Sequence, residues 1–154
     1  MDPAKIADNV VRDAITESEI TFKKLWTDQT CVIIFLRRLI AVGLEPQGLE
    51  EFVLGEFFSG ELFVDVDKKA FSNLGFKRLT FLQLFPAIFS KKTREANAKA
   101  KSLNLGGDMK GDGYQNGGCM VVGAGGNPLM FSFRQEEPSD HPENQQILEA
   151  LGIS

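Results

Sequence analysis

Residues 32–43 read VIIFLRRLIAVG. Ten of the twelve are apolar or glycine, and Arg37 and Arg38 stand side by side in the middle with no turn-forming neighbour. The first half, VIIFL, is rich in β-branched residues and apolar on both faces, the pattern of a strand covered on both sides of a sheet. The second half continues as LIAVGLEP and stops at a Glu-Pro turn signal. Two parallel neighbouring strands need a crossover of a dozen or more residues, normally a helix. Only two arginines separate Leu36 from Leu39. Read as one strand, 32–43 would exceed the usual ~3–10 residues. The sequence reads as though a crossover had been cut out, which leaves the two strands to merge or one to lose its register.

On the N-terminal side, NVVRDAITESEITFKKLW predicts two short alternating strands around a polar turn at Glu17-Ser18-Glu19, then a helix start over 22–26. On the C-terminal side, LEEFVLGEFF repeats apolar residues at helical spacing, and GELFVDVD reads as a strand ending in acidic residues. KKAFSNLGF predicts a short helix with Gly75 closing it. From Leu79 to Leu105 the pattern is mostly helical, broken at Pro86. A glycine-rich loop, GGDMKGDGYQNGG, leads into CMVVGAGGNPLMFSF, a hairpin turning at GAGGNP. The final SDHPENQQILEALGIS predicts a helix with Pro142 at its first position and Gly152 past its end. Alternation of this kind points to a mixed α/β sheet with helices on both faces.

Composition narrows the function. The chain has 154 residues, 43% hydrophobic and 25% charged, as expected of one globular domain. A net charge of −4 argues against a general nucleic-acid binder, which would present a basic face. The arginines interrupt the best apolar run before it reaches the ~18 residues of a membrane span. The N-terminal MDPAKIADNVVRD carries charges where a signal peptide needs apolar residues. Two cysteines, Cys31 and Cys119, are too few for a secreted disulfide framework, so a cytoplasmic setting is expected.

The stretches LWTDQTCVIIFLRR, LIAVGLEPQGLEEFVLGEFFSGELFVD, LGFKR, AKAKSLNLGGDMKGDGYQNGG and ILEALGIS resemble the peroxiredoxin-like 2 family of thioredoxin-fold proteins. They are most similar to its prostamide/prostaglandin F synthase branch, in order, over nearly the whole chain. In that family FLRR is followed by a Phe-Gly-Cys-x-x-Cys-Arg segment and a long helix that returns into the LIAVG strand. The resemblance therefore implies one thioredoxin-like domain over 1–154, shortened between Arg38 and Leu39, with the first crossover helix missing. It also implies an oxidoreductase that reduces the endoperoxide of prostaglandin H2 or its ethanolamide to the F-type product. A thioredoxin-type partner would supply electrons, with NADPH as ultimate donor and no tightly bound cofactor. That chemistry needs a low-pKa thiolate at a helix N-terminus and a second cysteine to resolve it. Both belong to the missing segment, so no catalytic residue is assigned. Two readings follow: a shortened synthase without turnover, or a redox-dead thioredoxin-like remnant that binds a partner or does nothing.

The remaining candidates each have a plain alternative. Cys31 and Cys119 open strands and read as small core hydrophobes. Along a strand Cys31 lies ~20 Å from Arg37 and Arg38, too far for them to activate it. Arg37 and Arg38 could hold a substrate carboxylate by bidentate hydrogen bonds, or simply face solvent at a strand end. GYQNGG occupies the position where thioredoxin-like chains face their dithiol, commonly with a cis-proline; it is also plain turn chemistry. DVDKK starts like a calcium loop but lacks its glycine and closing glutamate. Lys91, Lys92, Arg94, Lys99 and Lys101 could touch a phosphate or form a solvated helix face. His141 has no sequence partner for a metal or triad, and no metal site is expected. Finally, loss of a crossover helix predicts uncovered apolar surface around 31–44.

Overall fold

A computed structural model describes residues 1–36, 42–43, 59–80, 94, 98, 114–137 and 140–153. Its centre is one seven-stranded sheet. The strands are β1 (Val10–Asp13), β2 (Glu19–Thr21), β3 (Cys31–Phe35), β4 (Val42–Gly43), β5 (Phe63–Val64), β6 (Gly118–Val122) and β7 (Leu129–Arg134), in the order β2-β1-β5-β4-β3-β6-β7. β3, β4 and β5 run parallel, while β1–β2, β1–β5, β3–β6 and β6–β7 pair antiparallel. The order β4-β3-β6-β7, closed by a helix at Asn144–Ala150, is the thioredoxin-like core.

Of the two expected outcomes, the strands do not merge; instead β4 is shifted along β3. β3 and β4 are separate parallel neighbours, with Phe35 beside Val42. The six intervening residues suffice because β4 starts level with the end of β3. The connection need only step sideways by one strand spacing of about 4.8 Å, whereas a full crossover must return the length of a strand.

The N-terminal hairpin forms as predicted, except that Glu19 opens β2 instead of lying in the turn. Asp13 organises that turn: its Oδ1 accepts from the Ile15 N–H at 2.9 Å, the Thr16 N–H at 2.6 Å and the Thr16 hydroxyl at 2.9 Å. The helix over Lys69–Asn73 ends in a paired closure. The Gly75 N–H donates to Ser72 O and the Phe76 N–H to Phe71 O, each at 3.0 Å. Gly75 sits at φ +68, which glycine adopts without a Cβ penalty. The closure brings the Phe71 and Phe76 rings to 5.3 Å. At the C-terminus, Pro142 precedes the helix by two residues and does not start it. Glu143 is the cap, and its N–H donates to Gln146 Oε1 at 3.1 Å.

One face of the sheet, carrying Val11, Ile33, Phe35, Phe63, Met120 and Val122, packs on Phe22, Trp26, Ala70 and Phe71. Phe35 is at the centre, with its ring 5.2–6.1 Å from those of Phe22, Phe71 and Phe76. The opposite face of β3 is less covered. Val32 is 36% exposed and Ile34 half-buried, so the strand is not covered on both sides as its composition predicts. Residues of the 79–105 segment other than 79, 80, 94 and 98, and all of 44–58, lie outside the described residues.

Candidate functional site

In a sheet with parallel central strands, ligand chemistry gathers at their C-terminal ends. For β3 that is Phe35, which lies beside Val42 of β4 and Gly118 at the start of the antiparallel β6. Arg37 and Arg38, the candidates for a substrate carboxylate, lie outside the described residues, as do Lys91, Lys92, Lys99 and Lys101. Arg94 is helical and exposed, and His141 is exposed on the approach to the C-terminal helix.

The segment before β6 is tied down, which turn chemistry does not anticipate. Asn116 N–H donates to Lys77 O at 2.9 Å and Leu79 N–H to Tyr114 O at 2.7 Å, so 114–116 pairs with 77–79 as a short antiparallel bridge. Asn116 is completely buried. Its Nδ2 donates to Gln135 O at 3.0 Å and Glu136 O at 3.2 Å, while its Oδ1 has no donor among the described residues. The Gln135 side chain accepts from the Gly117 N–H at 2.8 Å and donates to Asp140 O at 2.8 Å. Gln135 N–H returns to Gly117 O at 3.0 Å, so main chain and side chain together extend the β6–β7 ladder by one residue. Lys77 and Glu136 form an ion pair across the same junction. Gly117 has no room for a side chain, since a Cβ there would lie 1.9 Å from Phe35 O. The cis bond is elsewhere, at Asn127–Pro128 in the β6–β7 turn.

Both thiols are accounted for. Cys31 and Cys119 are free, on adjacent antiparallel strands. Cys31 pairs with Val122 and Cys119 with Ile34, so they stand three residues apart along the ladder and on opposite faces. That offset alone is about 10 Å, beyond the ~7 Å limit of a disulfide. Burial raises the Cys119 thiol to about 11. Burial, with help from Glu61, raises Cys31 to about 11 as well. Neither is the electropositive, partly open setting that makes a thiolate reactive.

Asp65, the first residue of DVDKK, is buried where β5 meets the Lys69–Asn73 helix. Its Oδ2 accepts from Ala70 N–H at 2.8 Å and Phe71 N–H at 3.4 Å, and Oδ1 has no donor among the described residues. Its role is that of a helix cap. Among the described residues no cluster of His, Cys, Asp or Glu could hold a metal ion, and no helix is long and apolar enough to cross a membrane.

A model of the AhpC/TSA antioxidant enzyme family matches residues 37–137. The chain belongs to this peroxiredoxin-like family. It is 36% identical to a protein named prostamide/prostaglandin F synthase from Bos taurus, over 180 aligned positions that take in all of this chain and 90% of the relative. The protein of that name from Homo sapiens is 33% identical, with 91% of its length covered, and that from Aquarana catesbeiana 36%, with 90% covered. An alignment of 180 positions exceeds the 154 residues of the chain, so at least 26 positions of each relative have no counterpart here. No solved structure matches the chain. This AhpC/TSA family member thus keeps the thioredoxin-like sheet, but its two thiols are apart and desolvated. Asn116 and Gln135, which build the junction beside the end of β3, escape a sequence reading because Asn-Gly-Gly ordinarily signals an exposed turn. The burial of all five β6 residues is the signal that the turn before it must be anchored.

Proposed function

We propose that this chain is a shortened relative of the prostamide/prostaglandin F synthases in which the oxidoreductase scaffold persists without dithiol turnover. The domain would run over 1–154 with the missing positions between Arg38 and Leu39. The observation that carries this is the placement of Cys31 and Cys119 on opposite faces, both with raised pKa values. Thiol reduction of an endoperoxide requires a thiolate to attack one peroxide oxygen, breaking the O–O bond. A second thiol must then displace that oxygen and leave a disulfide. A thioredoxin-type reductant, drawing on NADPH, would reset the pair. No two cysteines of this chain can complete the second step. The 26 or more unmatched positions support a missing segment long enough for a Cys-x-x-Cys turn and its helix. Arg37 and Arg38 would flank that segment and present their charge to a substrate carboxylate.

The test is incubation with prostaglandin H2, NADPH and a thioredoxin system, with F-type product measured. Product should not exceed the protein-free background. Insertion of a family-type Cys-x-x-Cys helix after Arg38 should confer turnover. Turnover in the original chain that survives replacement of both Cys31 and Cys119 would overturn the proposal.

A further inference from the structure

Of the seven asparagines, Asn116 alone is followed by glycine. With no side chain on the following residue, its backbone nitrogen can swing onto the asparagine side-chain carbon. We propose that Asn116-Gly117 is a latent self-modification site, which the fold holds shut through Gln135 and Glu136. In the reaction, Gly117 N gives up its proton to solvent and bonds to Asn116 Cγ. The Cγ–Nδ2 bond breaks, and Nδ2 leaves as ammonia after taking up a proton. Water then opens the cyclic imide at either carbonyl, giving aspartate or isoaspartate at position 116. Nothing is oxidised or reduced, and water is the only co-reactant.

Four observations describe the latch. The nucleophile is engaged, because the Gly117 N–H donates to Gln135 Oε1 at 2.8 Å. The leaving group is engaged too, with Nδ2 held by Gln135 O at 3.0 Å and Glu136 O at 3.2 Å. Among the described residues the carbonyl receives no hydrogen bond that would make its carbon more electrophilic, since Oδ1 has no donor there. Water is kept from the site by complete burial. The reactive partner cannot be replaced by a larger residue without cost, because any Cβ at 117 strikes Phe35 O. The close approach of β3 to β6 therefore demands the glycine, and the clamp from 135–136 contains the pair it forms with Asn116.

Release would be irreversible. An aspartate at 116 loses both donated bonds and turns a carboxylate oxygen toward two main-chain carbonyls in a buried setting, an uncompensated charge. The ends of β6 and β7 would part, and the altered chain could not reclose as before. The site would accumulate a record of the time this junction spends open.

Site-resolved peptide mapping of the full chain tests this. Folded protein and protein in urea are incubated at mildly alkaline pH, and the mass gain and isoaspartate content at 116 are followed. Asp112-Gly113 is an internal control, since its isomerisation produces isoaspartate without a mass gain. Modification should be at least ~tenfold slower in the folded chain, each 1.4 kcal/mol of protection giving a factor of about ten. Gln135→Ala, checked by circular dichroism, should speed the reaction in the native chain. A urea series on the unaltered chain, below its unfolding midpoint, gives the same answer without a variant: the rate should rise with the open population. Equal rates in folded and unfolded protein, a rate indifferent to urea, or mass gain without isoaspartate would overturn the proposal.

Discussion

Replacing Gly117 with alanine should be among the most damaging single-methyl additions in this protein. The new Cβ would stand 1.9 Å from Phe35 O and 2.9 Å from Phe35 C, both backbone atoms that no rotamer change can move. To reach even the shortest tolerated contact of 3.0 Å, β3 must retreat by about 1 Å at its C-terminal end, where hydrogen bonds to β6 are formed. Loss of one or two of those bonds costs about 1 kcal/mol each. Displacing Phe35 from its aromatic neighbours adds an overpacking penalty of about 1–3 kcal/mol. The sum, roughly 2–5 kcal/mol, is a large part of the ~5–15 kcal/mol that holds a domain together. Gly75→Ala provides the contrast. Nothing lies within 4 Å of its Cβ, so the variant carries only the φ +68 strain of about 1–2 kcal/mol. Urea unfolding followed by Trp26 fluorescence would measure both. A Gly117→Ala midpoint within experimental error of the unaltered chain, or a larger loss in Gly75→Ala, would refute the close-packing argument.

Other consequences are measurable. At pH 8 the two thiols should alkylate about a hundredfold more slowly in the folded chain than in urea, the effect of raising both to about 11 from 9.0. Non-reduced mass spectrometry after mild peroxide should show no 31–119 bond. Burial raises the Asp65 carboxyl, with its helix N–H bonds opposing, so its contribution is largest below the unfolded pKa and fades as pH rises through the folded value. Asp65→Asn should flatten that dependence in pH-resolved melts, whereas Asp65→Ala should cost about 1 kcal/mol through loss of the cap. Asp13 has the opposite sign. The Thr16 N–H, foremost among its hydrogen bonds, lowers its pKa, so its contribution fades as pH falls, and Asp13→Asn should remove that part of the acid sensitivity. In thermal melts Phe35→Ala should cost about 3–5 kcal/mol, and Val32→Thr, at a partly exposed position, under about 1 kcal/mol.

The strands and turns were legible wherever local chemistry decides them. Alternation marked β1 and β7, an apolar run marked β3, and Gly75 marked the end of its helix. The resemblance supplied the thioredoxin-like connectivity, because strand order depends on partners distant in sequence. What local reading missed is long-range. No periodicity says that β4 starts level with the end of β3, which is why 32–43 reads as one impossible strand. Pro142 lies two residues before the helix it is expected to start, because Glu143, an uncommon cap, stands beyond it. Asn116 and Gln135 were invisible as a pair, since the bonds joining them cross nineteen residues or so of an intervening hairpin.

The level start of β4 also makes the sheet indifferent to how much chain is threaded between its two middle strands. Phe35 and Val42 are neighbours across one strand spacing, so whatever lies between them begins and ends at nearly the same point in space. A closed excursion of that kind is charged only for its length, and weakly, at about 0.6 kcal/mol for each doubling. Lengthening the present six residues to about thirty would therefore cost only about 1–2 kcal/mol in chain entropy, before any packing is gained. The junction behaves as a socket: reactive modules can be inserted or withdrawn there over generations while the surrounding ladder keeps its register.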